Sequence, residues 1–361
     1  MSSIPSGASV LVIGRFGKES FGGHIASTLE AMGHPAIRFD PGVPVATAES
    51  RLVRRAQQAR RVLVDMLEQF PWYRRTVQRR LARACADARI GLTIVTHDFL
   101  WPSEVRRIRE LTGTPVVLWF PDAASNFGRA WFMLAPYDAL FFKDPFIVRQ
   151  LRTFLKTPVH YLPECFNPSR HVYDEPLTAG ELATFSCDIC TAGSLHANRI
   201  AFFSNLAEYE VQIWGSPPPA WAEPGPVHRM YQGRYVADQE KAKAWRAAKI
   251  VVNNLYVTEV WGLNARAFEV AGIGAFQLVD WRPGLSQLFE DGKEIVTFRN
   301  VGELREKIDY YLPRDAERHR IAEAGKRRAR AEHTYQHRLR TMIDCVFGDG
   351  GGYPLPAVEW Q

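Results

Sequence analysis

The sequence predicts an α/β protein made of two doubly wound, Rossmann-like parallel-sheet domains in series. Three observations predict it. Short apolar runs alternate with amphipathic helical stretches, the pattern of parallel strands joined by crossover helices. That alternation occurs twice, before and after a polar stretch at 174–183 that contains Pro176 and Gly180. The length of 361 residues suits two domains of about 100–200 residues each.

In chain order, residues 9–13 are a near-continuous apolar run, as expected of a strand covered on both faces. A glycine-bearing loop at 14–23 leads into a helix over 24–32, with Ile25, Leu29 and Met32 on one face and Gly33 as its stop. Strands follow at 36–39, 92–96, 115–120, 139–142 and 159–163, with a helix over 103–111. The second series has strands at 187–191, 211–214, 250–252, 275–279 and 294–298. Helices fit between them at 200–208, 238–248 and 264–270. Charged helices at 301–312 and 315–347 close the chain, and the Gly/Pro-rich tail from 348 is expected to be poorly ordered. The expected division is an acceptor-side domain at 1–173, a linker at 174–183 and a ligand domain at 184–337. The segment 338–361 is expected to return toward the first domain.

Composition narrows the class. Hydrophobic residues make up 46% and charged residues 23%, which excludes a disordered chain, a collagen-like repeat and a disulfide scaffold. No run approaches the ~18 unbroken apolar residues of a spanning helix. The start of the chain lacks the basic region and long apolar stretch of a signal peptide. Five scattered cysteines fit a reducing compartment, so a cytoplasmic protein is expected. Cys187 and Cys190 form a C-x-x-C without a second pair, which reads as two core thiols rather than a zinc site. Lys and Arg total 45 against 39 Asp and Glu, a net charge of +6. The surplus concentrates in segment 51–89, where eleven arginines face Asp65, Glu68 and Asp87. Val62, Met66, Leu67 and Phe70 are its expected apolar stripe, and Pro71 interrupts it. This segment reads as a solvated helix face or as a surface for anionic lipid. Nucleic acid is not expected, because no recognition motif accompanies the charge.

Ligands of open parallel sheets bind beyond the carboxyl ends of the strands, often at helix N-termini. That rule selects three loops. In the first, Gly22 and Gly23 stand where the chain enters a helix and leave its N–H groups approachable. The spacing is neither G-x-G-x-x-G nor a P-loop. The second, from Gly193 and Ser194 to Arg199, repeats that layout and adds a guanidinium suited to a phosphate. The third leads from Asn253 into a helix carrying Asn264, Arg266 and Glu269. Positions 266 and 269 share a helical face. A diphosphate would use the guanidinium and the N–H groups there, and a ribose would use the carboxylate. On the other half, His97 and Asp98 end one strand and Asp122 follows another. Each is a candidate to deprotonate or position an acceptor hydroxyl. Lys143, Asp144 and Glu164 are lesser candidates.

The run from Asn264 through Arg266 and Glu269 to Gly272 and Gly274 resembles the nucleotide-sugar motif of group-1 glycosyltransferases with the GT-B fold. Asp280 to Gly284, Gly325 and His333 to Arg338 extend the likeness to the CgeB-type spore maturation glycosyltransferase-like family. The likeness is specific over 247–339 and architectural over the first 170 residues. It implies two Rossmann-like domains facing a cleft, with a nucleoside-diphosphate sugar as donor. By position, Glu269 would hold the ribose, and Arg266, Asn264 and Arg199 would lie near the diphosphate. Gly22 and Gly23 would match the glycine turn that admits donor phosphate and sugar. One departure stands out. Many retaining members place a second glutamate eight residues before the ribose-binding one, and here that position is Trp261, with Glu259 out of register.

The expectation is therefore a glycosyltransferase acting on a hydroxyl of a glycan, lipid-linked glycan or protein, with retention. No Asp-x-Asp motif occupies a suitable loop, so no metal and no cofactor beyond the donor are expected. A role in cell-surface glycan synthesis at the inner face of the plasma membrane would use the basic segment. The alternatives are a GT-B nucleotide-binding protein without turnover and a sugar-nucleotide epimerase.

Overall fold

Apolar residues with both faces covered produce the strands of the first sheet. The computed structural model describes residues 3–17, 19–42, 66–67 and 70–357. Its first sheet contains β1 (Ser9–Ile13), β2 (Ala36–Phe39), β3 (Ile90–Thr96), β4 (Val116–Phe120), β5 (Ala139–Phe142) and β6 (Val159–Tyr161). They lie in the order β2-β1-β3-β4-β5-β6, and β1 through β5 pair in parallel. Every residue of β3, β4 and β5 is buried. The second sheet contains β7 (Cys187–Ala192), β8 (Val211–Trp214), β9 (Ala248–Asn253), β10 (Gln277–Asp280) and β11 (Val296–Phe298). All its pairings are parallel, in the order β11-β10-β9-β7-β8. Strand order reverses between β1 and β3 in one sheet and between β7 and β9 in the other. Loops after those strands open the crevices where such sheets bind ligands.

The chain divides into two compact units. One comprises Met1–Phe142, Gln150–His160 and Leu339–Gly352; the other comprises Lys143–Arg149, Tyr161–Arg338 and Tyr353–Gln361. The expected linker at 174–183 therefore lies inside the second unit. Its last residues enter the helix Ala179–Phe185, which opens on a capping box of Thr178 and Glu181. The chain touches the second unit at Lys143–Arg149, returns to the first at Gln150–His160 and enters the second again at Tyr161. Lys143 Nζ pairs with Glu259 at 2.9 Å, and Asp144 accepts the N–H of Val260 at 2.8 Å.

Other expectations change in detail. The helix expected over 315–347 is two helices, Asp315–Glu332 and Tyr335–Phe347. They break because Phe166 donates its N–H to His333 and accepts one from Tyr335, while the buried His333 Nε2 lies 2.8 Å from Leu288 O. The tail is tied down at Tyr353, whose N–H bonds Tyr161 O at 2.9 Å. Within the basic segment, 51–65, 68 and 69 lie outside the described residues. The helix Pro71–Ala86 buries Arg74, Val77, Leu81 and Cys85. Met66 and Phe70, two residues of the expected apolar stripe, are exposed. The covered face lies further along, where Arg74 Nε donates to Glu104 at 2.9 Å. Among the described residues, no helix is long and apolar enough to cross a membrane.

Candidate functional site

In the second unit, the site begins with an amide pair. Asn253 ends β9 fully buried, and Asn264 caps the helix Ala265–Ile273 by accepting the Ala267 N–H at 3.2 Å. The two side-chain amides bond each other in both directions, each at 3.0 Å. Such a cap is worth about 1 kcal/mol; here it also fixes the helix start against the strand. Arg266 follows in the first turn and donates from Nη1 to Asn253 Oδ1 at 2.9 Å.

Arg199 comes from the helix Ala197–Ser204 after β7. It is buried, and its Nη2 donates to Thr191 Oγ1 at 2.9 Å. Gly193 lies between the two arginines at φ +128°, a conformation that favours glycine. A Cβ there would stand 2.7 Å from Arg266 Nη2 and 3.1 Å from Arg199 Nη1. The two guanidinium groups therefore flank a bare patch of backbone. Burial, and then the charge of Arg266, hold Arg199 well below the usual arginine range. Arg266 is lowered by burial, against the opposing pull of Glu269, Glu259 and Tyr235. Arg199 Nε has no hydrogen-bond partner among the described residues. Two cations this close, one of them buried with an unbonded Nε, make a site that gains from an anion.

One turn beyond Arg266, Glu269 Oε2 lies 3.1 Å from Lys241 Nζ, and Oε1 lies 3.7 Å from His171 Nδ1. Gly193, Tyr235, Lys241, Trp245, Asn264, Arg266 and Glu269 line one cavity of ≈ 220 Å³. The structure thus brings Gly193, Arg199, Asn264, Arg266 and Glu269 together. Ser194 sits beside them, exposed, with its hydroxyl 3.4 Å from that of Ser216. Lys241, Tyr235 and Trp245 were not singled out in the sequence, and Asn253 was named only as the start of its loop. A signal existed for two of them, because Lys241 and Trp245 are four apart and share a helical face.

The remaining candidates belong to the first unit. Gly22 and Gly23 lie within the first turn of the helix Phe21–Ala31, which starts earlier than expected because Ser20 caps it through the Gly23 N–H. A Cβ on Gly22 would come 3.0 Å from Arg15 O. His97 ends β3 in the left-handed region at φ +65°, and its Nε2 lies 3.2 Å from Asp122 Oδ2. Its Nδ1 is buried without a hydrogen-bond partner among the described residues. Asp98 accepts the N–H of Trp131 at 2.7 Å and of Phe132 at 3.0 Å, so both of its oxygens secure a backbone turn. Trp261 is buried, its N–H bonded to Asp144 and its ring edge-on to Phe146 at 5.5 Å.

Residues 199–344 match the family model described as glycosyl transferase-like. The matched segment contains Arg199, Asn264, Arg266 and Glu269. No curated protein matches the chain. Several solved structures are similar to it in fold. A glycosyltransferase from Rickettsia africae superposes with a TM-score of 0.64 at 11% identity, covering 96% of this chain and 100% of its own. Sucrose-phosphate synthase from Thermosynechococcus elongatus gives 0.63 at 12% identity, covering 94% and 98%. Anabaena Alr3699/HepE in complex with UDP and glucose gives 0.60 at 9% identity, covering 94% and 99%. With its two Rossmann-like parallel-sheet units, the chain has the GT-B fold.

Proposed function

We propose that this chain is a glycosyltransferase of the CgeB-like kind that binds a nucleoside-diphosphate sugar in its second unit. It passes the sugar to a hydroxyl of a glycan, lipid-linked glycan or protein. One observation carries the reading: the guanidinium groups of Arg199 and Arg266 flank Gly193 beside two helix starts, with the Glu269 carboxylate one turn along. Phosphate oxygens accept from guanidinium and N–H groups, and ribose hydroxyls donate to a carboxylate. The glycosyl transferase-like match over these residues supports it, as does the UDP held by a protein of the same fold.

In this reading catalysis is largely electrostatic. The bond from the sugar carbon to the diphosphate oxygen breaks, and the two guanidiniums stabilise the charge that develops on the leaving group. The new bond to the acceptor oxygen forms on the same face, and the acceptor proton passes to the departing phosphate oxygen. Retention by this route needs no side-chain base. That suits a first unit in which Asp98 is engaged by backbone and His97 Nδ1 is buried. Asp122 and the His97 Nε2 beside it then position the acceptor. The transfer takes place in the cytoplasm, at the inner membrane face.

Arg199→Met tests the reading. Replacing a desolvated cation by an apolar side chain of similar size is often neutral or stabilising. The ligand-free melting temperature is therefore expected to hold or rise. UDP should raise the melting temperature of the unsubstituted chain. Affinity for UDP should fall about tenfold or more in the variant, about 1.4 kcal/mol. An unchanged UDP response in Arg199→Met would remove the diphosphate site. A second reading, nucleotide binding without turnover, is favoured by the buried Trp261 at the position of a sugar-contacting carboxylate. Binding of UDP-glucose with neither hydrolysis nor transfer would select it.

A further inference from the structure

The donor reading gives Glu269 a ribose to hold, and the structure shows a second charged group set against that carboxylate. Lys241 arises from the helix Asp238–Ala247, outside every loop that the strand ends supply. Its side chain is 8% exposed, and its Nζ lies 3.1 Å from Glu269 Oε2. The same ammonium lies 5.3 Å from the ring centroid of Trp245, one turn further along the helix. The ammonium is thus fixed from two directions, by a carboxylate and by an aromatic face.

We propose that Lys241 is the positioning residue that aims the Glu269 carboxylate at a ribose, and that this pair makes the pocket selective for ribonucleotides over deoxyribonucleotides. The inference rests on the donor reading and deepens it. A carboxylate has about four acceptor sites on its two oxygens. Lys241 occupies one on Oε2, and the His171 ring stands 3.7 Å from Oε1. Both Lys241 and Glu269 line the cavity, so the carboxylate meets a ligand bound there. Glu269 has three side-chain torsions, and its side chain is only 14% exposed. Without the ammonium the carboxylate loses a counter-charge 3.1 Å away in a poorly solvated place, and it reorients. The guanidinium groups of Arg199 and Arg266 have their own hydrogen bonds, to Thr191 and Asn253. Loss of Lys241 therefore disturbs ribose recognition and spares the diphosphate contacts.

The experiment is calorimetric titration of the full chain with UDP and with 2′-deoxy-UDP. It compares the unsubstituted chain with Lys241→Met and Lys241→Arg. The unsubstituted chain should prefer UDP by about tenfold or more, the scale of one hydrogen bond to a charged group. Lys241→Met should bring the two ligands within about twofold by weakening UDP while leaving 2′-deoxy-UDP nearly as it was. Lys241→Arg, which keeps the charge, should retain most of the preference. Lys241→Gln replaces the methionine variant, with the same expectation, if that variant does not fold. Equal weakening of both ligands would overturn the assignment, because a phosphate contact or a general loss of structure acts on both alike. So would an unsubstituted chain that binds both ligands equally, and in each of these cases the diphosphate site survives. If neither ligand binds the unsubstituted chain, the donor reading falls and this inference falls with it.

Discussion

Asp98 shows how a residue in the right place for chemistry can be occupied by structure. It lies at the end of β3, where the sequence offered it as a base, and its two oxygens accept the N–H groups of Trp131 and Phe132. Burial raises its carboxyl to about 6, outweighing the lowering by those two N–H groups. The sign of the consequence follows. A folded pKa above the unfolded value means that the folded chain holds more proton between about pH 4 and 6, so stability falls as pH rises through that window. Acidifying from pH 7 to 5 should therefore stabilise the unsubstituted chain relative to Asp98→Asn. The gain should not exceed about 1 kcal/mol, because the group is partly solvated. Urea unfolding of both chains at the two pH values measures it; a pH-independent difference would show that Asp98 is ionised throughout. The loop motifs were legible in the sequence because a guanidinium, an amide and a carboxylate fell within one turn at Asn264, Arg266 and Glu269. The contacts of Asn253 with Arg266 and of Lys241 with Glu269 were not, since each is made only when separate segments meet.

At the scale of elements, the helix Ala265–Ile273 repays attention because its length decides what its glycines do. The sequence puts the helix at 264–270, short of both Gly272 and Gly274. The helix in fact runs to Ile273, and only Gly274, at φ +83°, is the left-handed stop. Gly272 is a packing residue, since a Cβ there would come 2.5 Å from the Phe166 ring. Periodicity could not reveal this, because Phe166 belongs to a distant part of the chain. Gly272→Ala should consequently cost about 1–3 kcal/mol by overpacking. Gly180→Ala is the matched control: the site lies in a helix with open space around it, and alanine should hold or raise stability there. Urea midpoints compare the two; a Gly272→Ala chain as stable as the control would mean that the Phe166 ring yields. Gly180 also marks a misread boundary. Pro176 and Gly180 looked like a linker, yet Thr178 and Glu181 carry the helix-start signature of a capping box. The parallel strands were plain because burial on both faces leaves unbroken apolar runs. The division into units was hidden, because Lys143–Arg149 joins the second unit through contacts made only on folding, such as that of Lys143 with Glu259.

At the scale of the molecule, the net charge of +6 is smaller than the surplus carried by segment 51–89 alone, so the rest of the chain is slightly acidic. In the described part of that segment the helix Pro71–Ala86 turns Arg75, Arg79 and Arg83 outward. Met66, Phe70 and Trp72 beside them are 59%, 49% and 60% exposed, and the rings of Phe70 and Trp72 stack at 6.4 Å. Arginines next to exposed aromatic rings suit the headgroup region of an anionic bilayer, where each basic side chain contributes about 1 kcal/mol. The aromatic rings add burial that salt does not screen. We therefore expect the chain to sediment with vesicles containing about 30% anionic lipid at low ionic strength, and much less with neutral ones. Replacing Arg75, Arg79 and Arg83 by Gln should weaken binding more than tenfold, by the sum of about three such contributions. Trp72→Ala should weaken it while leaving its salt dependence in place, because the ring contributes area and no charge. Sedimentation that ignores lipid charge, salt and both sets of substitutions would make this helix an ordinary solvated face.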